Sequence, residues 1–220
     1  MSKFDELGEL IGRRVAMLQA TYLDHQSAAA SATLAQLRRG VGKPVGTVPE
    51  IWEITLEGIP GQAKDNVPSV EEHASHAALT LYAVHQQARA EPMHVQGVGL
   101  GTAVRKLAAA RTEVHKDANQ DENQAVRKRF DAAATSATFS ELTYHLRGLI
   151  SQLRSAGIGL DYGQLTIDLA QAQSPDGLKA VRFRWGHSYY QKYFTNTETD
   201  IGIQDAWTFP ASDIQTRESK

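Results

Sequence analysis

The sequence predicts an all-α fold, two small helical bundles packed together and followed by a C-terminal non-helical tail. Leu142, Leu146, Leu149 and Leu153 step by four, three and four residues, the spacing of one buried helix face. Strand-like alternation is scarce along the chain, and no internal repeat is visible. With 220 residues, 41% of them hydrophobic and 22% charged, the chain has ordinary globular composition and room for one large or two small units.

Each element has a local reason. Leu7, Leu10, Ile11, Met17, Leu18 and Tyr22 fall close to helical spacing, with Asp5 and Glu6 in the first turn, where carboxylates oppose the positive end of the helix dipole. A second helix runs from about Gln26 to Arg39, and Gly40 stands where a left-handed C-terminal cap is wanted. Residues 40–49, GVGKPVGTVP, hold three glycines and two prolines and form a loop. Pro49 suits the start of a short helix carrying Trp52, Ile54 and Leu56. Pro68-Ser69, with Glu71 and Glu72 behind it, opens a helix that buries Ala74, Ala77, Ala78, Leu81, Tyr82 and Val84 and ends near Arg89. Another follows Gly97–Gly101 through Ala103, Val104, Leu107 and Ala108. The polar run HKDANQDEN, 115–123, is the best boundary in the chain and divides a domain at 1–118 from one at 119–194. Val126 and Phe130 lie on the next helix, the leucine stripe on the one after, and 162–172 and 176–194 make two more. Residues 195–220 lose the helical period and form the tail, in which Ile201, Ile203, Trp207 and Phe209 could pack as an extended strap.

Composition and motifs exclude several function classes. The absence of cysteine removes disulfides, thiolate metal sites and a cysteine nucleophile. No stretch approaches the roughly 18 apolar residues of a spanning helix, and MSKFDELGEL lacks a signal-peptide pattern, so a soluble cytoplasmic protein without a membrane partner is expected. Gly42-Lys43 imitates a phosphate loop, but Leu37 and Pro44 stand where a Walker motif needs glycine and a hydroxyl. Gly97, Gly99 and Gly101 miss the dinucleotide spacing and are better explained as small residues at a helix start. Gly186-His187-Ser188-Tyr189-Tyr190 fails the nucleophile-elbow pattern at its last position. His73 and His76 share a helical face, with His85 further along, yet no second ligand pair answers them. No pair of carboxylates stands out for acid–base work. A non-enzyme with no metal and no cofactor is expected.

Cations are placed less evenly than the net charge of -2 suggests. Residues 49–104 hold 2 Lys+Arg against 7 Asp+Glu, residues 105–194 hold 13 against 9, and the tail holds 2 against 5. Arg38 and Arg39 end a helix just before the loop with Lys43, where they either compensate the helix dipole or meet an anion. Arg105, Lys106 and Arg111 follow one another on a short helix, and Arg127, Lys128 and Arg129 form the densest run, although Arg127 could merely pair with Asp131. Arg147 and Arg154 lie seven apart beside the leucine stripe. Arg182, Arg184 and Lys192 accompany Trp185, Tyr189, Tyr190 and Tyr193, aromatics expected mostly in the core. Singly these are solvated faces; together they could form one phosphate-tracking surface.

Several segments in this order carry a resemblance: Ala35–Gly40, the Pro49 and Trp52 pair, Leu79–Gln87, Gly97–Val104, His145–Ile150, Leu160–Tyr162, and Trp185-Gly186 with Tyr189-Tyr190. The set, from about residue 10 to 194, resembles the CasB family, the small subunit of the type I-E CRISPR surveillance complex Cascade. The resemblance implies an all-helical, non-catalytic subunit, two copies of which lie head to tail beside the crRNA-carrying backbone subunits and the large subunit. It implies contacts that hold the R-loop, touching crRNA and target DNA and giving the displaced strand a basic path. The family's paired arginines at the end of the second helix match Arg38 and Arg39. Arg105, Lys106, Arg127, Arg129, Arg147, Arg182 and Arg184 are carried over mainly on charge, and Lys43 joins them by its place beside the arginine pair. Where smaller family members have cations after the Trp-Gly pair, this chain has His187 and Ser188. A helical adaptor that binds only proteins is the alternative from another class.

Overall fold

The computed structural model describes residues 2–61, 63–114 and 120–191, which contain nine α-helices and one short 3-10 turn and no strand. The all-α expectation holds. The tail at 195–220 and residues 115–119 of the expected boundary lie outside the described residues.

Helix α1, Lys3–Leu23, begins at a reciprocal cap in which the Ser2 hydroxyl accepts from the Asp5 N–H and the Asp5 carboxylate accepts from the Ser2 N–H. It buries Leu7, Ile11 and Val15. Helix α2, Ala28–Arg39, is capped by Ser27 and buries Ala30, Leu34 and Leu37. Its end departs from expectation, because Gly40 has φ of -81° rather than a left-handed conformation. Glycine is required there for space: a Cβ would stand 2.7 Å from the Ile51 side chain and 3.1 Å from that of Thr80. The left-handed cap occurs instead at Gly157, φ 67°, after α7.

The 3-10 turn Pro49–Ile51 runs into α3, Trp52–Leu56. Helix α4, Val70–His85, opens with a second reciprocal cap between Ser69 and Glu72. It is buried on nearly every face, not along one stripe, because α1, α2, α3, α7 and α8 all pack against it. It also ends four residues before Arg89. The buried Gln86 side chain takes over, donating to the carbonyls of Arg89 and Glu91 and accepting from the Met93 N–H, so that it folds the chain into a turn.

Helices α5 (Leu100–Val114), α6 (Gln120–Thr135), α7 (Phe139–Ala156), α8 (Tyr162–Gln171) and α9 (Pro175–Tyr190) complete the fold. Thr138 and Asp161 cap α7 and α8. Helix α5 packs on α6, α7 and α9, and Gly101 lets it lie directly against the backbone of α9 at Trp185. The predicted leucine stripe of α7 is buried throughout, together with Ile150. Each such leucine removes from water a side chain worth about 1.5–3 kcal/mol. The hydrophobic core is continuous from Leu7 to Trp185, so helices before and after residues 115–119 share it. The described residues up to Tyr190 gather as one compact unit.

Candidate nucleic-acid interface

The arginine pair sits at the end of α2, and the chain turns there because α4 holds it. His76, buried on α4, hydrogen-bonds the Gly40 carbonyl through Nε2 at 3.1 Å. Burial pushes the imidazole down from its ordinary value, against a smaller upward pull from the Gly40 and Lys43 carbonyls. The loop then turns at Gly42 and Gly46, with φ of 73° and 79°, which glycine tolerates without a Cβ penalty. Trp52 Nε1 donates to the Gly46 carbonyl at 2.9 Å, and Thr47 Oγ1 donates to the Pro44 carbonyl at 2.7 Å. The loop is therefore tied at both ends, and Lys43 is exposed between the ties.

Across from the loop lies α7. Its buried leucines fix its rotation, which leaves Tyr144 and Arg147 on the open face. Tyr144 is 74% exposed, an unusual state for a large ring. Between loop residues 41–45, α4 and α7 is a cavity of about 520 Å³, lined by Lys43, His73, His76, Phe139, Tyr144 and Arg147 among others. Its lining contains no aspartate or glutamate, so among the described residues the only full charges facing it are cationic. A second cavity of about 540 Å³, between α1 and α8, differs in kind: Asp5, Glu9 and Asp161 line it with Arg13.

The structure thus brings Lys43 and Arg147 to one groove, joined through the loop to the α2 end. Arg38 is half-buried and Arg39 exposed, and neither side chain has an ion-pair or hydrogen-bond partner among the described residues.

The remaining candidates lie elsewhere and have other occupations. Arg105 Nη1 donates to the Ser188 carbonyl at 3.2 Å, in the last turn of α9, and Lys106 beside it is exposed. Arg127 stands 3.8 Å from Asp131 and 5.9 Å from the centre of the Tyr190 ring, so the i,i+4 pairing considered from the sequence is present. Arg129 lies against the Gln152 side chain of α7. Arg182 donates to the carbonyls of Ala134 and Ser136 and closes the C-terminal end of α6. Arg184 holds the buried Asp168 carboxylate at 2.6 Å and the Gln171 amide oxygen at 2.7 Å. Burial pushes the Asp168 carboxyl up, opposed by Arg184, by Trp185 Nε1 donating at 2.6 Å, and by Gln164. Arg154 donates to Gln87 at 3.0 Å. Of the α9 aromatics, Trp185 is core as expected, Tyr189 is half-buried, Tyr190 is exposed, and Lys192 and Tyr193 lie outside the described residues.

The three histidines are structural in geometry. His73 Nδ1 faces the Ser69 carbonyl at 2.9 Å, His76 holds Gly40, and His85 hydrogen-bonds the Tyr162 hydroxyl at 3.0 Å. No group of three or more metal-ligating side chains is assembled among the described residues, and no described helix is long and apolar enough to cross a membrane.

Sequence reasoning missed Tyr144 and the His76 clamp. Tyr144 did carry a signal, since it lies three residues before Arg147 and off the leucine stripe, hence on the solvent face beside that cation. The clamp had none, because His76 and Gly40 are 36 residues apart.

Comparison with known proteins relates the chain to a family. A family model described as CRISPR-associated protein Cse2 matches residues 33–190, from the middle of α2 through α9. Among solved structures, the crystal structure of CasB from Thermobifida fusca matches with a TM-score of 0.68 and 35% identity, covering 83% of this chain and 97% of that one. No curated protein matches the sequence. With most of its length matched by the family model and a CasB structure superposing on the same fold, the chain belongs to the CasB family of CRISPR-associated Cse2 proteins.

Proposed function

We propose that the chain is a non-catalytic subunit of a type I-E Cascade complex. In this reading two copies pair along the crRNA-bearing backbone beside the large subunit, and basic side chains steady the crRNA–target R-loop and the displaced strand. The observation that carries it is the carboxylate-free groove of Lys43 and Arg147, joined to a helix end bearing Arg38 and Arg39, on a chain of this family. R-loop formation exchanges one duplex for another at nearly balanced energy, so a few bonds to phosphate decide whether the open state persists. A low net charge fits a subunit that meets protein over much of its surface and nucleic acid over a part of it.

The test is a reconstituted complex carrying Arg38→Ala with Arg39→Ala. Both residues end a helix, where each charge contributes about 1 kcal/mol or less to stability, so the variant should fold and assemble. It should hold target DNA more weakly, with the slope of log K against log salt shallower by about 0.7–0.9 for each phosphate that is no longer neutralised. Unchanged affinity and slope in a fully assembled complex would leave these arginines as helix-end charges and move the contact to Arg127, Arg129 and Arg147.

A further inference from the structure

We infer that the groove between the 41–45 loop, α4 and α7 receives one unpaired base of a single-stranded nucleic acid, its ring against Tyr144 and its phosphates beside Lys43 and Arg147. The inference rests on the nucleic-acid reading above and adds to it a site and a mode of recognition. Three properties of the groove select this occupant. Its volume, about 520 Å³, falls in the range of roughly 300–1,000 Å³ typical of sites that enclose a small molecule, which suits a nucleotide and not a duplex. Its charged lining is entirely cationic, so the guest carries negative charge. Beside uncharged polar groups such as Thr80, Thr143 and Gln173, its lining carries an apolar and aromatic part, Ala77, Leu81, Phe139 and the exposed Tyr144, so the guest also carries a flat apolar body with polar edges.

A simple anion would use the two cations and leave the ring idle. A base with its phosphate uses both, in the way that single-strand binders combine a cationic track with aromatic platforms. The α1/α8 cavity shows that size alone does not select the guest: it is as large, yet carboxylates line it and no Phe, Tyr or Trp ring does. The groove is also formed in advance. His76 anchors Gly40, Trp52 anchors Gly46, and the buried leucines of α7 fix the side from which Tyr144 and Arg147 project, so little ordering is left for the moment of binding.

The experiment titrates the full-length protein at low salt with two single-stranded DNA probes of equal length, one of mixed sequence and one built wholly of abasic sites. The abasic strand keeps every phosphate and lacks every base. The wild type should prefer the base-bearing strand by about 5- to 150-fold, the range that one stacked base supplies. Tyr144→Ala should lose that preference while keeping the salt slope, and Tyr144→Phe, which retains the ring, should keep both. Lys43→Ala with Arg147→Ala should weaken both strands and lower the slope by about 0.7 for each phosphate released. A 2-aminopurine in the mixed strand should be quenched by the wild type and not by Tyr144→Ala. If Tyr144→Ala discriminates between the strands as the wild type does, the base site is wrong and the nucleic-acid reading stands. If the wild type binds neither strand, or takes up an acidic peptide in preference to both, the nucleic-acid reading falls and this inference with it.

Discussion

Two regions of the molecule are rich in arginine and lysine, and they use them differently. Around the end of α2, the following loop and the open face of α7, Arg39, Lys43 and Arg147 are exposed, and no carboxylate lines the groove that Lys43 and Arg147 border. Around α9, Arg105, Arg182 and Arg184 each donate to a carbonyl or carboxylate of the fold itself. The formal charge is the same in both places. What differs is whether the donors are already engaged, and an engaged guanidinium has less to offer a phosphate than a free one. A basic surface is therefore better identified by unpartnered donors than by counting cations.

The largest effect expected from this contrast is on stability. Asp168→Ala should cost about 3–4 kcal/mol, because it leaves the buried Trp185 Nε1 without an acceptor and removes one from Gln164 and from the partly exposed Arg184. For a chain of this length that corresponds to a fall in melting temperature of roughly 10 °C. Arg147→Ala, on the exposed face, should stay within about 0.5 kcal/mol of wild type. Thermal denaturation of the two variants reads the difference, and equal losses would break the comparison.

Acid should produce the next largest effect. Burial lowers His85 to about 4, against 6.5 for an unburied imidazole. The unfolded chain therefore takes up a proton between about pH 6.5 and 4 that the folded chain refuses, and stability falls as pH falls through that window. The difference of about 2.5 pH units corresponds to about 3 kcal/mol. His76 and His94 are also lowered by burial and act in the same direction. His85→Gln should flatten the dependence of denaturation midpoint on pH between 4 and 6.5. An unaltered slope would show that His85 titrates normally in the folded protein.

Much of the fold was legible because it rests on local chemistry. The α7 stripe, the Ser69 start of α4 and the proline-led turn into α3 are each written within one or two helical turns of sequence. The errors came where distant residues decide. Gly40 stands where a left-handed cap is expected, but its φ is -81° and its missing Cβ makes room for Ile51 and Thr80; α4 has an amphipathic pattern, but five helices pack around it. The candidate site divides in the same way. Arg38, Arg39 and Lys43 could be grouped from the sequence because they are neighbours in it. Arg147 could not be joined to them, and Arg184 could not be set aside, because Lys43 and Asp168 reach those residues only through the tertiary fold.

The expected boundary can be tested without altering a side chain of the core. A protease site placed within 115–119 should yield two pieces that remain together after cleavage, since α5 packs on α6, α7 and α9 while α4 packs on α7 and α8. Size-exclusion chromatography of the nicked protein measures this. Separation into two fragments, each still helical by circular dichroism, would instead establish two independently folding units and weaken the view that one core unites the two basic regions.

A smaller effect than that of Asp168 is expected at Arg127, which stands between the two classes of cation. It has a partner, but a weak one. The distance of 3.8 Å to Asp131 is long for an ion pair, and both side chains are more than half exposed. Exposed i,i+4 pairs contribute about 0.3–0.5 kcal/mol, and an exposed cation over an aromatic ring, here Tyr190 at 5.9 Å, about 0.5–1 kcal/mol. Arg127→Gln should therefore cost no more than about 1.5 kcal/mol, measured by urea denaturation, below Asp168→Ala. Water already competes for such a guanidinium, so a phosphate could displace Asp131 at little cost. If Arg127→Gln lowers the salt slope of target retention as much as the Arg38 and Arg39 double change does, the dividing line lies between weakly and strongly held cations, and the basic surface extends onto α6. An unchanged slope would confine it to the groove and the end of α2.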